Sequence, residues 1–105
     1  MVAEVKSQKE FTEIIGKDKV TVVDFHATWC GPCKQIAPFV EKLAGEFKDA
    51  AFIKVDVDEV SDVAAEFGVR AMPTFMIFRS GEKVSEVVGA NPAALKGAVQ
   101  SAVKA

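Results

Sequence analysis

Residues 20–57 read VTVVDFHATWCGPCKQIAPFVEKLAGEFKDAAFIKVDV, and the order of patterns in this stretch decides the fold. Residues 20–27, VTVVDFHA, are an almost unbroken apolar, β-branched run, as expected of a central strand covered on both faces. Beyond Cys33 the period changes. Ile36, Phe39, Val40, Leu43 and Phe47 recur at helical spacing, so a helix begins near the cysteines and runs to about Lys48, with Pro38 expected to kink it. Residues 51–57, AFIKVDV, return to the interior-strand pattern. Parallel strands need a crossover of this length between them, so 20–27 and 51–57 are expected to be parallel neighbours joined right-handedly.

The flanks extend this unit. Ser7-Gln8-Lys9-Glu10 has capping-box spacing ahead of Phe11, Ile14 and Ile15, which predicts a short helix before Gly16. Val2 to Val5 gives a weak edge-strand signal. Val60, Val63, Ala64 and Phe67 mark another short helix closed by Gly68. Thr74–Arg79 and Lys83–Val88 flank Ser80-Gly81 and predict a hairpin. Asn91 as N-cap and Pro92 at the first helical position open a last helix whose inward stripe is Leu95, Ala98, Val99, Ala102 and Val103. The predicted class is α/β: a mixed sheet with helices on both faces and the cysteines at the carboxyl end of a central strand, where chemistry usually sits in open α/β sheets.

At 105 residues and half apolar, the chain suits one domain spanning 1–105. Its 13 Lys and Arg are dispersed and the net charge is -2, which leaves no basic stripe for nucleic acid. No apolar run approaches the ~18 residues of a membrane span, and the polar N-terminus, MVAEVKSQKE, lacks a secretory apolar core. The expectation is a cytoplasmic protein acting as a monomer, with no membrane partner.

Cys30 and Cys33 are the only cysteines. A structural staple closing so short a loop contributes only about 2 kcal/mol in the chain-entropy model. A closed tetrahedral metal site needs four ligands, and the chain offers two cysteines and one histidine. No metal and no bound cofactor are expected; a reversible disulfide between Cys30 and Cys33 is the reading left.

The residues VVDFHATWCGPCKQIAP, then VRAMPTFMIF about forty residues after Cys33, then VVGAN, resemble the thioredoxin family over essentially the whole chain, in wording closer to its eukaryotic cytosolic members than to bacterial ones. The resemblance implies a five-stranded sheet with four helices, reduction of disulfides in client proteins, and recharging by an NADPH-dependent thioredoxin reductase. A redox-gated binding module that holds a partner without turnover is the rival from another class. A secretory oxidase is disfavoured by Gly-Pro between the thiols, and glutaredoxins typically have Pro-Tyr there.

Reduction of a disulfide needs one thiolate to attack and a second thiol to release the mixed disulfide. Cys30, at the junction of strand and helix, is the candidate nucleophile because unpaired N–H groups and the helix dipole favour its anion. Cys33, three residues on, is the resolving thiol. Pro32 fits the first helical turn and limits the separation of the sulfurs, while Gly31 lets a partner backbone come close. Asp24 inside an apolar strand is either a side chain turned to solvent or, as the family implies, a buried acid that accepts the Cys33 proton. Lys54 resembles the family's lysine paired with this acid. The resemblance also implies a cis bond before Pro73 and a substrate rim of Trp29, Met72, Pro73, Gly89 and Ala90. His26 departs from the family, where an aromatic is frequent. A satisfied structural histidine is the ordinary reading, and titration that modulates Cys30 or Asp24 is the sharper one. Asp58 is a candidate for the site's edge, and Lys34 has no role beyond a favourable charge near the thiolate.

Overall fold

A computed structural model describes residues 1–105. The run of strand and helix signals becomes β1 (Ala3–Val5), α1 (Gln8–Ile15), β2 (Thr21–His26), α2 (Gly31–Glu46), β3 (Ala51–Asp56), α3 (Ser61–Glu66), β4 (Thr74–Arg79), β5 (Glu82–Val88) and α4 (Pro92–Lys104). The strands form one mixed sheet in the order β1-β3-β2-β4-β5. β2 runs parallel to β3, with Asp24 opposite Lys54 and His26 opposite Asp56, and antiparallel to β4.

β2 is central because its residues suit both faces. Val22 points with Phe52, Phe75 and Ile77 into a layer closed by Ile36, Val40 and Leu43 of α2 and by Leu95 and Val99 of α4. Val23 and Phe25 point the other way, against Phe11 and Ile15 of α1 and Val60 and Val63 beside and within α3. Phe11 anchors that second layer, its ring centroid 6.3 Å from Phe25, 5.5 Å from Phe67 and 5.9 Å from Phe78. No helix is long and apolar enough to cross a membrane.

Local chemistry sets the ends of the elements. Ser7 Oγ accepts the Glu10 N–H at 3.1 Å, and Glu10 Oε1 accepts the Lys6 N–H at 3.1 Å, so the capping-box spacing satisfies two donors at the start of α1. Ser80 and Gly81 both have positive φ, 52° and 82°, which is the backbone of the tight hairpin turn whose twist suits β4 and β5. The register between those strands slips beyond Ile77, leaving Val84 between the paired Lys83 and Ser85. α2 continues as one helix through Pro38. Val20 and Ala27 lie just outside β2, and α2 stops two residues before Lys48: burial carries the apolar pattern further than the hydrogen-bond ladder extends.

Asn91 caps α4 by accepting the Ala94 N–H at 3.0 Å, and Pro92 follows where its missing N–H is harmless. Asn91→Ala is expected to cost about 1 kcal/mol, seen as a lower urea midpoint with an unchanged m-value.

Candidate active site

The chain leaves β2 at His26, turns through Ala27, Thr28 and Trp29, with the Cys30 N–H donating to Ala27 O at 3.2 Å, and enters α2. Cys30 is the N-cap of that helix, and its sulfur accepts the Cys33 N–H at 3.1 Å. A donor and the positive end of a 16-residue helix therefore face the atom that carries negative charge when the pair is reduced. Cys30 and Cys33 form a disulfide, their Cα atoms 5.3 Å apart. Pro32 occupies the first turn, as expected. Gly31 is exposed, and a Cβ built there meets nothing within 4 Å, so the packing of the chain does not require glycine at this position.

The two sulfurs have different surroundings. Cys30 Sγ lies 3.6 Å from the Met72 carbonyl oxygen, beneath the rim. Cys33 lines a cavity of about 360 Å³ behind the disulfide, together with Asp24, His26, Ala27, Thr28, Lys34, Ala37 and Lys54. Both cysteines are buried.

Asp24 is buried at 6% exposure, so the reading of a carboxylate turned to solvent is set aside. Burial pushes its pKa up to about 7, and the Lys54 charge pulls weakly in the opposite direction. Lys54 is its neighbour in register on β3, but the ammonium and the carboxylate do not meet in an ion pair. Lys54 thus acts on Asp24 through space. Asp24 Oδ1 is sealed from solvent and has no protein partner.

His26 is half-buried, and its Nε2 is likewise buried without a partner. That corrects the expectation of a satisfied histidine: the groups around it carry charge without reaching that nitrogen. Burial lowers its pKa, while Asp56, Glu4 and Glu59 raise it and Lys54 lowers it further.

The rim comes from three loops. Trp29 is 66% exposed, and its Nε1–H donates to Asp58 Oδ2 at 2.9 Å, so the indole is held by its polar edge with its faces free. Asp58 in turn is placed by Asp56, whose Oδ1 accepts the N–H groups of Asp58 and Glu59 at 2.8 and 3.3 Å. The Met72–Pro73 bond is cis. Thr74 Oγ1 donates to Ala71 O at 2.5 Å across this loop. The Gly89 N–H donates to Pro73 O at 2.8 Å, which fastens Gly89 and Ala90 to the same loop; Gly89 has φ 96°, a conformation glycine adopts without steric cost. Trp29, Met72, Pro73, Gly89 and Ala90 are thereby brought to the cysteines, and Asp24 and Lys54 lie behind them. Sequence reasoning missed the indole bond to Asp58, the Thr74 and Gly89 ties, and the placement of Lys34 in the inner cavity; the adjacency of Asp58 to the end of β3 was the only signal for the first.

The thioredoxin family model matches residues 2–101. The chain is 55% identical over 104 residues to Thioredoxin-2 of Saccharomyces cerevisiae, covering 98% of this chain and 100% of that protein. It is 54% identical to Thioredoxin-1 of Schizosaccharomyces pombe, covering 96% and 98%. Among solved structures, thioredoxin from Trypanosoma brucei brucei superposes with a TM-score of 0.96 at 41% identity, over 100% of this chain and 93% of that one. Plasmodium falciparum thioredoxin gives 0.92 at 46% identity, over 95% and 98%. Matches of this identity along nearly the whole chain, with a disulfide at the end of the central strand, mean that this protein belongs to the thioredoxin family and is a thiol–disulfide oxidoreductase.

Proposed function

We propose that the 105 residues act as a single cytoplasmic domain, a monomer that reduces disulfides in client proteins and is itself recharged by thioredoxin reductase at the expense of NADPH. The observation that carries this reading is the unequal placement of the two sulfurs, Cys30 beneath the rim at Met72 and Cys33 turned to the inner cavity with Asp24. The Cys30 thiolate attacks a client sulfur, and the client leaves one half of its disulfide on Cys30. Cys33 gives its proton to Asp24 and attacks Cys30 Sγ, closing the chain's disulfide and releasing the reduced client. A carboxyl poised near pH 7 suits that proton transfer, because its two forms are then close in free energy. Lys54 favours the ionised form of Asp24 before the transfer.

Clients dock on the apolar rim formed by Trp29, Met72, Pro73, Gly89 and Ala90, with the Met72 backbone available to pair with an extended peptide. Gly31 and Pro32 keep the approach open and the sulfur spacing short. The reading is tested by turnover of a protein disulfide with thioredoxin reductase and NADPH, following NADPH oxidation. Many equivalents of client reduced per chain are expected; tight stoichiometric binding without NADPH consumption would instead identify a redox-gated binding module.

A further inference from the structure

Sulfur chemistry in this protein is not confined to the cysteines. The chain has three methionines, and the fold places them at three depths. Met1 is 90% exposed at the N-terminus and Met76 is sealed in the core at 1%. Met72 is half-buried on the rim, packed against the small cluster of Ala27, Cys30 and Cys33. Both cysteines are held in the disulfide, so the oxidised chain offers no thiolate to a peroxide. The thioethers are then the sulfur atoms left to react, and Met72 carries the one that lies beside the cysteines.

The loop that bears Met72 is fastened on both sides. Thr74 Oγ1 donates to Ala71 O, and the Gly89 N–H donates to Pro73 O at 2.8 Å. A change of polarity at the Met72 side chain therefore alters the surface while the backbone beside Cys30 stays in place. The rest of the rim has little to offer an added acceptor. Among Trp29, Pro73, Gly89 and Ala90 the indole N–H is the only side-chain donor, and it is already given to Asp58 at 2.9 Å. A sulfoxide oxygen on Met72 keeps its hydrogen bonds only by holding water on the apolar rim.

We propose that Met72 is a site of reversible oxidation by hydrogen peroxide, and that its sulfoxide weakens client docking. The proposal rests on the reading of this rim as the client surface. A lone pair of the Met72 sulfur takes one oxygen of the peroxide, the O–O bond breaks, and the other oxygen leaves as water. The sulfur is oxidised by two electrons and the peroxide is reduced by two. A docked client must strip water from the new oxygen without replacing its hydrogen bonds, which costs about tenfold in affinity. The exchange between Cys30 and Cys33 involves no atom of the sulfoxide and keeps its rate. Repair returns two electrons and two protons to the sulfur and takes one methionine sulfoxide reductase for each sulfur epimer.

The test treats the disulfide form with hydrogen peroxide and counts the oxygens gained by each methionine with peptide mass spectrometry. Met1 and Met72 are expected to gain one each and Met76 none. The treated chain is then reduced with dithiothreitol, desalted and mixed with excess client disulfide, and the single turnover is followed by the fluorescence of Trp29, the only tryptophan. The half-saturating client concentration is expected to rise about tenfold with the limiting rate unchanged, and the two sulfoxide reductases to restore it. In Met72→Leu, peroxide still oxidises Met1 and is expected to leave that variant's half-saturation where it stood before treatment. The proposal is overturned if Met72 takes no oxygen, if its sulfoxide leaves half-saturation unchanged, if repair does not restore it, or if Met72→Leu shifts as much as the parent. If Met72→Leu folds poorly, repair of the parent chain decides. Met72→Gln, measured without peroxide, separates the two ideas. Unchanged half-saturation there removes Met72 from the client surface, whereas a rise with Met72→Gln and none with peroxide removes only the oxidation.

Discussion

Asp24→Asn raises the stability of the oxidised protein by up to about 4 kcal/mol at pH 8 and changes it little at pH 3. The magnitude follows from a carboxyl whose pKa stands at about 7 in the fold against 3.8 in the open chain, at about 1.4 kcal/mol per unit. The sign follows from proton binding. Between those two values the folded state holds the proton more tightly than the unfolded state, so stability falls as pH rises from about 4 to 7. Below that window both states are protonated and there is no penalty. Above it the folded state buries a charge that the unfolded state leaves in water. An amide of similar shape has no charge to bury, so the variant lacks this slope. Urea unfolding at the two pH values measures it, and an equal difference between variant and parent at both would show that burial does not set the Asp24 pKa. A stability cost retained at the centre of the sheet is what a group kept for chemistry looks like.

The parts of this protein that could be read from its sequence are those set by local pattern. Val22, Val23 and Phe25 make β2 a doubly covered strand in any context, and Asn91-Pro92 starts a helix by its own hydrogen bonding. The thiols follow the same logic, since Cys30 and Cys33 bring their own spacing and their own N-terminus. What was not legible depends on residues far apart in the chain. The Trp29 indole meets Asp58 across 29 positions, and Gly89 binds Pro73 through backbone atoms that no side chain announces. His26 shows the same limit from the other side. Its type suggests a satisfied histidine, but whether Nε2 finds a partner is decided by tertiary placement, and although β3 sets Asp56 opposite His26, no protein group bonds that nitrogen. The Asp24–Lys54 pairing that the resemblance implies is present as a register between β2 and β3 and not as an ion pair, because sequence order fixes which strands adjoin and not where a long, flexible ammonium ends.

Cys33→Ser abolishes turnover and leaves clients covalently held on Cys30. The argument is one of effective concentration. Cys33 starts on the first turn of the same helix, with its N–H 3.1 Å from the Cys30 sulfur, so its attack is intramolecular and oriented, a situation worth an effective molarity on the order of 10⁵ M or more. Millimolar thiol in solution cannot replace that, and it must also pass the client seated on the rim. Serine preserves the size and the backbone hydrogen bond of the resolving residue but forms no disulfide, so the chain stops after the first exchange. With thioredoxin reductase and NADPH, steady-state reduction of a protein disulfide is expected to fall by at least about a thousandfold. Non-reducing electrophoresis should show one client per chain, released by dithiothreitol. In Cys30→Ser the sulfur beneath the rim at Met72 is missing, and Cys33, which lines the inner cavity with Asp24 and Lys54, should trap far less. Equal trapping by the two variants would mean that the sulfurs are interchangeable to a client, and that the division between a rim-side attacker and a cavity-side resolver does not govern the exchange.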